Sequence, residues 1–82
     1  MNIKDVYSKY ENQIVDVEAF KSATVAENIN NFDLIEVKKI NLSSKVKDFE
    51  VVDQARYEEI TKKDNWAENY EKQDKVLLVL ID

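Results

Sequence analysis

The chain has 82 residues, 44 % of them apolar and 35 % charged, with a formal net charge of −5, so it has room for one domain with one modest core and none for a separate substrate domain. It contains no cysteine, histidine, glycine or proline. That excludes disulfide frameworks, thiolate and imidazole metal sites, thiol nucleophiles and the usual proton shuttle at neutral pH, together with the glycine-built phosphate loops G-x-x-x-x-G-K-[ST] and G-x-G-x-x-G.

The apolar residues come in patterned blocks, so the chain is expected to fold as one domain over residues 1–82 and not to behave as a disordered tail. The opening MNIKDVYSKYENQ lacks the apolar stretch of a signal peptide, and no run approaches the roughly 20 apolar residues of a membrane-crossing helix. With the missing cysteines, this predicts a protein of the reducing cytoplasm of a bacterial cell, without membrane contact.

In chain order, Ile3, Val6, Tyr7 and Tyr10 fall at i, i+3, i+4 and i+7 and predict an amphipathic helix. Asn2 is a suitable N-cap, and Asp5 at the third helical position favours the first-turn amides. QIVDVEAFKS then alternates, with Ile14, Asp16, Glu18 and Phe20 on one face and Val15, Val17 and Ala19 on the other: a strand whose inner face is mixed. In ATVAENINNFD, Val25, Ile29 and Phe32 have helical spacing amid turn-forming asparagines, so a short helix and an irregular loop both fit. DLIEVKKINL reads as a strand between Asn-rich and Ser-Ser boundaries. VKDFEVVD follows, with Val46, Asp48, Glu50 and Val52 opposite Lys47, Phe49 and Val51. A β-hairpin over 34–52 is the economical reading.

Asp53 is placed to cap a helix, QARYEEITKK, with Tyr57 and Ile60 inward and Glu58 and Glu59 outward. Asn65 and Glu68 resemble a capping box, so a second short helix is expected to restart at Asp64-Asn65. A continuous helix, at about 100° per residue, would set Trp66 and Tyr70 nearly opposite Tyr57 and Ile60. Trp66 and Tyr70 share a face, and burial of Trp66 against the sheet is expected, because a domain this small rarely leaves its largest apolar side chain outside the core. The final block, KVLLVLID, has apolar residues on both faces and predicts a central strand under helices. Without glycine, the turns fall to Asn12-Gln13, Asn28 to Asn31, Ser43-Ser44, Asp64-Asn65 and Gln73-Asp74. The fold class is therefore α+β, a single antiparallel or mixed sheet of about four strands against an amino-terminal helix and one or two short carboxyl-terminal helices.

For function, the paired acids Glu58-Glu59 and Glu68 with Glu71 are the nearest approach to catalytic machinery. Exposed helix acids are usually a solvated face, and a glycosidase needs a cleft around its pair. A calcium loop is unsupported, because DNWAENYEKQD lacks the loop glycine and the one-three-five acid spacing. A non-enzymatic protein without cofactor or metal is the reading. Residues 1–47 hold seven acids and seven bases, whereas residues 48–82 hold ten acids and five bases, so the net charge lies wholly in the second part. Such a field repels phosphate and attracts cationic protein surfaces, and lysines are scattered without forming a basic patch. Direct nucleic-acid binding is not expected. The candidate partner-binding residues are Glu58, Glu59, Asp64, Glu68, Tyr70, Glu71 and Asp74, acids around an aromatic anchor.

The opening MNIKD, the length, the Lys/Asn-rich composition and the acidic second half resemble small acidic proteins of phages and prophages, among them anti-CRISPR inhibitors of type II effector nucleases. The resemblance implies a DNA mimic that presents carboxylates where a nuclease expects phosphates. It places that role on Glu58, Glu59, Asp64, Glu68, Glu71 and Asp74, with Lys62, Lys63, Lys72 and Lys75 interrupting the row. The partner is then a protein with a basic surface, a host defence nuclease such as a CRISPR effector. A phage structural or assembly protein, a toxin-immunity partner and a self-associating domain that dimerises through the hairpin edge are the alternatives. The terminal strand gives the first prediction: deleting residues 77–82 leaves a chain without a cooperative unfolding transition in urea, monitored by circular dichroism.

Overall fold

The apolar run near the carboxyl end forms the middle of the molecule. The computed structural model describes residues 1–24, 28–30 and 33–81; Val25, Ala26, Glu27, Asn31, Phe32 and Asp82 lie outside the described residues, and with them the helical spacing expected of Val25 and Phe32. Its elements are α1 (Ile3–Tyr10), β1 (Asp16–Ser22), β2 (Leu34–Val37), β3 (Val46–Val52), α2 (Gln54–Thr61), α3 (Trp66–Asn69) and β4 (Val76–Ile81). The strands make one mixed sheet in the order β2-β1-β4-β3, with β4 parallel to β1 and antiparallel to β3, and β2 antiparallel to β1. This is an α+β fold.

All six residues of β4 are buried, none more than 5 % exposed. Val76, Leu78 and Leu80 join Phe20, Ile29, Val52, Tyr57, Ile60 and Trp66 on the face covered by α2 and α3. Leu77, Val79 and Ile81 join Ile3, Val6, Ile14 and Ala19 on the face covered by α1. Fully burying one aliphatic side chain stabilises by roughly 1.5–3 kcal/mol, so a strand that spends its side chains equally on two faces requires a layer on each.

The same requirement overturns the expected 34–52 hairpin. A strand buried on both faces must also have its backbone groups paired along both edges, and β4 takes β1 on one side and β3 on the other. β2 and β3 end up on opposite edges of the sheet. The crossing segment between them runs beneath the start of α1, where Ile3 N donates to Ser44 O (3.1 Å), Lys4 N to Leu42 O (3.0 Å) and Val46 N to Met1 O (3.0 Å).

Local chemistry accounts for the helix ends. Asn2 Oδ1 accepts from Asp5 N (2.9 Å) while Asp5 Oδ2 accepts from Asn2 N (3.1 Å), a reciprocal capping box. Asp53 caps α2 by accepting from Arg56 N (3.0 Å). Tyr57 and Ile60 face inward as their spacing requires, and within α1 Ile3 and Val6 are buried while Tyr7 is left outside. The second expected capping box does not form. Asn65 makes no side-chain cap, and α3 lasts only from Trp66 to Asn69, so Glu68 and Glu71 do not share a helical face.

Two strand residues depart from simple alternation. Ile14 follows α1 in a turn, its N donating to Tyr10 O (3.2 Å), and packs on the α1 side, opposite to the face shared by Glu18 and Phe20. A register shift between Val46 and Asp48 puts Val46 with Phe49 and Val51 on the α1 side, because one extra residue in a strand reverses the faces beyond it. The turn at Asn28–Asn30 is drawn onto the α2 side: Ile29 is buried, its N donates to Asp48 Oδ2 (2.8 Å), and Arg56 Nη2 donates to Asn30 Oδ1 (2.6 Å).

Lys62 closes α2 in the left-handed region, φ 60 and ψ 23, with its N donating to Glu58 O (3.0 Å). It is the one residue with positive φ among those described. A side chain with a Cβ is disfavoured there by about 1 kcal/mol. Lys62→Gly is therefore expected to stabilise the protein by up to about 1 kcal/mol, read as a higher urea midpoint with an unchanged m-value; a fall in the midpoint contradicts the assignment.

Candidate functional site

On the α2 and α3 side, β1 contributes two acids where a core strand ordinarily carries apolar residues. Asp16 and Glu18 share a face with Phe20, and opposite Phe20 on β2 stands Glu36. Asp16 and Glu36 are exposed and Glu18 is half-buried; withdrawing a carboxylate even partly from water is costly unless it is hydrogen-bonded, and here tyrosines supply the donors. Tyr57 OH donates to Glu18 Oε1 (3.0 Å), and Tyr70 OH to Glu18 Oε2 (2.5 Å), with Asp16 Oδ2 2.9 Å from the same hydroxyl.

The hydroxyls are aimed by a cluster of three rings. Trp66 lies edge-on to Tyr57 with centroids 5.3 Å apart and against Tyr70 at 4.8 Å, and Tyr57 and Tyr70 are 6.3 Å apart. Trp66 is buried, and its Nε1 donates to Glu71 O (2.9 Å), which holds the chain beyond α3 in place. Edge-to-face pairs of this kind add about 0.5–1.5 kcal/mol beyond burial.

These groups line an open cleft of about 460 Å³, bounded by Asp16, Glu18, Glu36, Lys38, Tyr57, Asn65, Asn69 and Tyr70 among others. Glu36 is paired with Lys63 Nζ at 3.0 Å. Among the described residues, neither Asp16 nor Glu18 has a lysine or arginine partner. Burial, with the hydrogen bond to Glu18 next, pushes the Tyr70 hydroxyl far above its ordinary value. Burial and then the charge of Glu18 do the same to Tyr57. Both hydroxyls are therefore neutral donors throughout the neutral range, and the cleft presents fixed acceptor oxygens suited to an ammonium or guanidinium group. Among the described residues there is no group of three or more acids placed to hold a metal ion.

The structure distributes the residues expected from sequence. Tyr70 is in the cleft, with its hydroxyl turned inward to Asp16 and Glu18. Glu59 is engaged by Arg56 Nη1 at 2.6 Å, and Glu58 lines a separate shallow depression with Lys72. Asp74 Oδ2 accepts from Glu71 N (2.8 Å) and so is occupied in a local turn. Asp64, Glu68 and Glu71 are exposed around α3; Asn69 of that helix and Asn65 just before it line the cleft. Sequence reasoning missed Asp16, Glu18, Glu36 and Tyr57 as site residues. The available signal was the pair of acids on the Phe20 face of β1, which a packed strand tolerates only with partners.

Comparison of the chain with protein-family models, with curated proteins and with solved structures found no match.

The raised tyrosines set the alkaline behaviour. An unfolded chain releases phenolic protons around the ordinary value of 10.0, while the folded protein retains those of Tyr57 and Tyr70 to higher pH. Their contribution to stability is complete below pH 10 and declines as pH rises above it. Urea midpoints are expected to drop above pH 10 in the native protein and less steeply in Tyr70→Phe, which at neutral pH is destabilised by about 1–2 kcal/mol. An identical alkaline slope in the variant contradicts the hydrogen-bonded placement of Tyr70.

Proposed function

We propose that this chain is a non-enzymatic, phage- or mobile-element-encoded binding protein of the anti-CRISPR kind, acting in the bacterial cytoplasm, where it occupies a basic nucleic-acid-binding surface of a host defence nuclease through acidic contacts. The observation that carries this reading is the cleft in which Asp16 and Glu18 are held by Tyr57 and Tyr70 without a cationic partner among the described residues. Exposed Asp64, Glu68 and Glu71 extend the acidic surface over α3.

The physical argument is one of preorganisation. A carboxylate fixed by hydroxyl donors loses little freedom when an arginine or lysine arrives, whereas a flexible surface acid must be ordered first. Charge-assisted hydrogen bonds to guanidinium are short and directional, and the net charge of −5 speeds encounter with a cationic surface while repelling DNA. Inhibition is then steric and electrostatic: basic residues that hold phosphate become engaged by carboxylates, with Tyr70 and its neighbours as the apolar margin.

The test is plasmid cleavage by guide-loaded type II effector nucleases with increasing amounts of the protein. Inhibition is expected, weakening as salt rises, and the Glu68→Lys/Glu71→Lys protein is expected to be weaker by roughly tenfold with its fold retained by circular dichroism. Cleavage unaffected by the native protein, or inhibition that survives the double reversal unchanged, contradicts the proposal.

A further inference from the structure

One edge of the sheet is left half paired. β1 runs from Asp16 to Ser22, but β2 pairs only with Ala19 to Ser22. Ala23 N donates to Asp33 O (3.0 Å), so by the alternation of an antiparallel pair the backbone groups of Ala19 face β2, and those of Val17 face the same edge two residues earlier. After Val37 the chain bends at Lys38 and Lys39 and passes under α1, where Leu42 O accepts from Lys4 N (3.0 Å). In a continued register Lys39 would stand opposite Val17; instead, no strand among the described residues pairs with this edge at Asp16, Val17 or Glu18. Val17 N donates to the neighbouring Asp16 Oδ1 (2.8 Å). An unpaired edge is a template for a further strand.

Two hollows flank that edge, one on each face of the sheet. On the α2 and α3 side is the acidic cleft, with Asp16 and Glu18. On the α1 side is an open groove of about 410 Å³, lined by Asp16 and Val17 with Tyr7, Val15, Ile40 and Leu42. Val15 and Leu42 are 57 % and 50 % exposed. Cleft and groove share Asp16, Val17 and Ile40, so they form one trough around the edge, acidic on one face and apolar on the other. The side chains of a strand alternate between faces. A strand added here sends the residues opposite Asp16 and Glu18 into the cleft, and the residue between them, opposite Val17, over the groove.

We infer that this edge accepts an extended segment of a partner protein with the pattern basic-apolar-basic, added antiparallel to β1 in line with β2. Its main chain exchanges hydrogen bonds with Val17, its two cationic side chains meet the carboxylates of Asp16 and Glu18, and the apolar residue between them lies on Val17 and Ile40. The arriving carbonyl replaces Asp16 Oδ1 at Val17 N and releases that oxygen to the cation. Main-chain bonds then give affinity, and the alternate side chains give specificity. The inference rests on the reading that the cleft receives cations, and it adds the form in which they arrive. The chain's own Lys45-Val46-Lys47 has the same pattern, but Val46 pairs with Ile81 and its N donates to Met1 O (3.0 Å), so a second copy does not offer it.

The experiment titrates the full-length protein, by calorimetry and amide NMR, with a synthetic peptide of about nine residues in which arginine and valine alternate. One control has the same composition with the arginines in one block and the valines in another. A second control is the alternating peptide N-methylated at its valines, which removes the main-chain donors that face Val17. The alternating peptide is expected to bind and to shift the amides of Val17 and Ile40, and both controls to bind about tenfold more weakly or worse. Glu18→Gln, which keeps an acceptor for the tyrosines, and Leu42→Asp, at an exposed position, are each expected to weaken the alternating peptide by about tenfold. Equal binding of the alternating and block peptides overturns the inference and leaves the cation reading of the cleft standing, as does full affinity of the N-methylated peptide. Concentration-dependent self-association in sedimentation that Leu42→Asp abolishes overturns it in favour of a second copy. Binding by none of the peptides overturns both the inference and the reading on which it rests.

Discussion

The whole architecture depends on a strand with no polar face. Val76 to Ile81 presents apolar side chains on both surfaces and is buried on both, so the chain must supply a cover for each side and a pairing partner for each edge. α1 meets the first demand on one side, and α2 with α3 meets it on the other. β1 and β3 take the edges and displace β2 to the rim. Even the two separated turns of helix after β3 follow from this, because Tyr57, Ile60 and Trp66 all have to reach the same sheet face. A continuous helix would turn Trp66 away from that face.

The candidate cleft is a by-product of the same packing. A small domain with one tryptophan buries it, and here the buried ring positions two tyrosines whose hydroxyls extend past the core to the acids of β1. Core and site therefore share residues: Tyr57 and Tyr70 pack as apolar rings and act as hydrogen-bond donors. This coupling explains how a chain without histidine, cysteine or glycine still builds a polar site of fixed geometry. The rigidity comes from aromatic packing, where other folds use a metal or a tight glycine loop.

The sequence made the elements legible but left their neighbours hidden. Periodicity located α1, β1, α2 and β4, and Asn2 and Asp53 marked helix starts, because these signals are local. The hairpin reading of 34–52 failed because strand order is decided by competition for β4, a non-local matter that adjacent strand patterns do not record. Val46 changed face through a one-residue bulge at Lys47, for which alternation gives no warning. Trp66 was correctly assigned to the core from size alone. The acids on the Phe20 face of β1 were visible as an irregularity, yet their meaning required Tyr57 and Tyr70, which lie roughly 40 and 50 residues further along the chain. Glu58, Glu59 and Asp74 looked alike in sequence, and the structure separates them by what they already touch.

Acids and aromatic rings meet on the α2 and α3 side of the sheet, where Asp16, Glu18, Tyr57 and Tyr70 line one cleft. The central claim is that the cleft, and not diffuse negative charge, receives cations. The most direct measurement is the titration of ¹³C-labelled side-chain carboxyl groups with an oligo-lysine peptide. Binding in the cleft gives saturable shifts concentrated at Asp16 and Glu18, with Asp5, Glu11 and Asp53 nearly unmoved. Small shifts spread evenly over all the surface acids would contradict it.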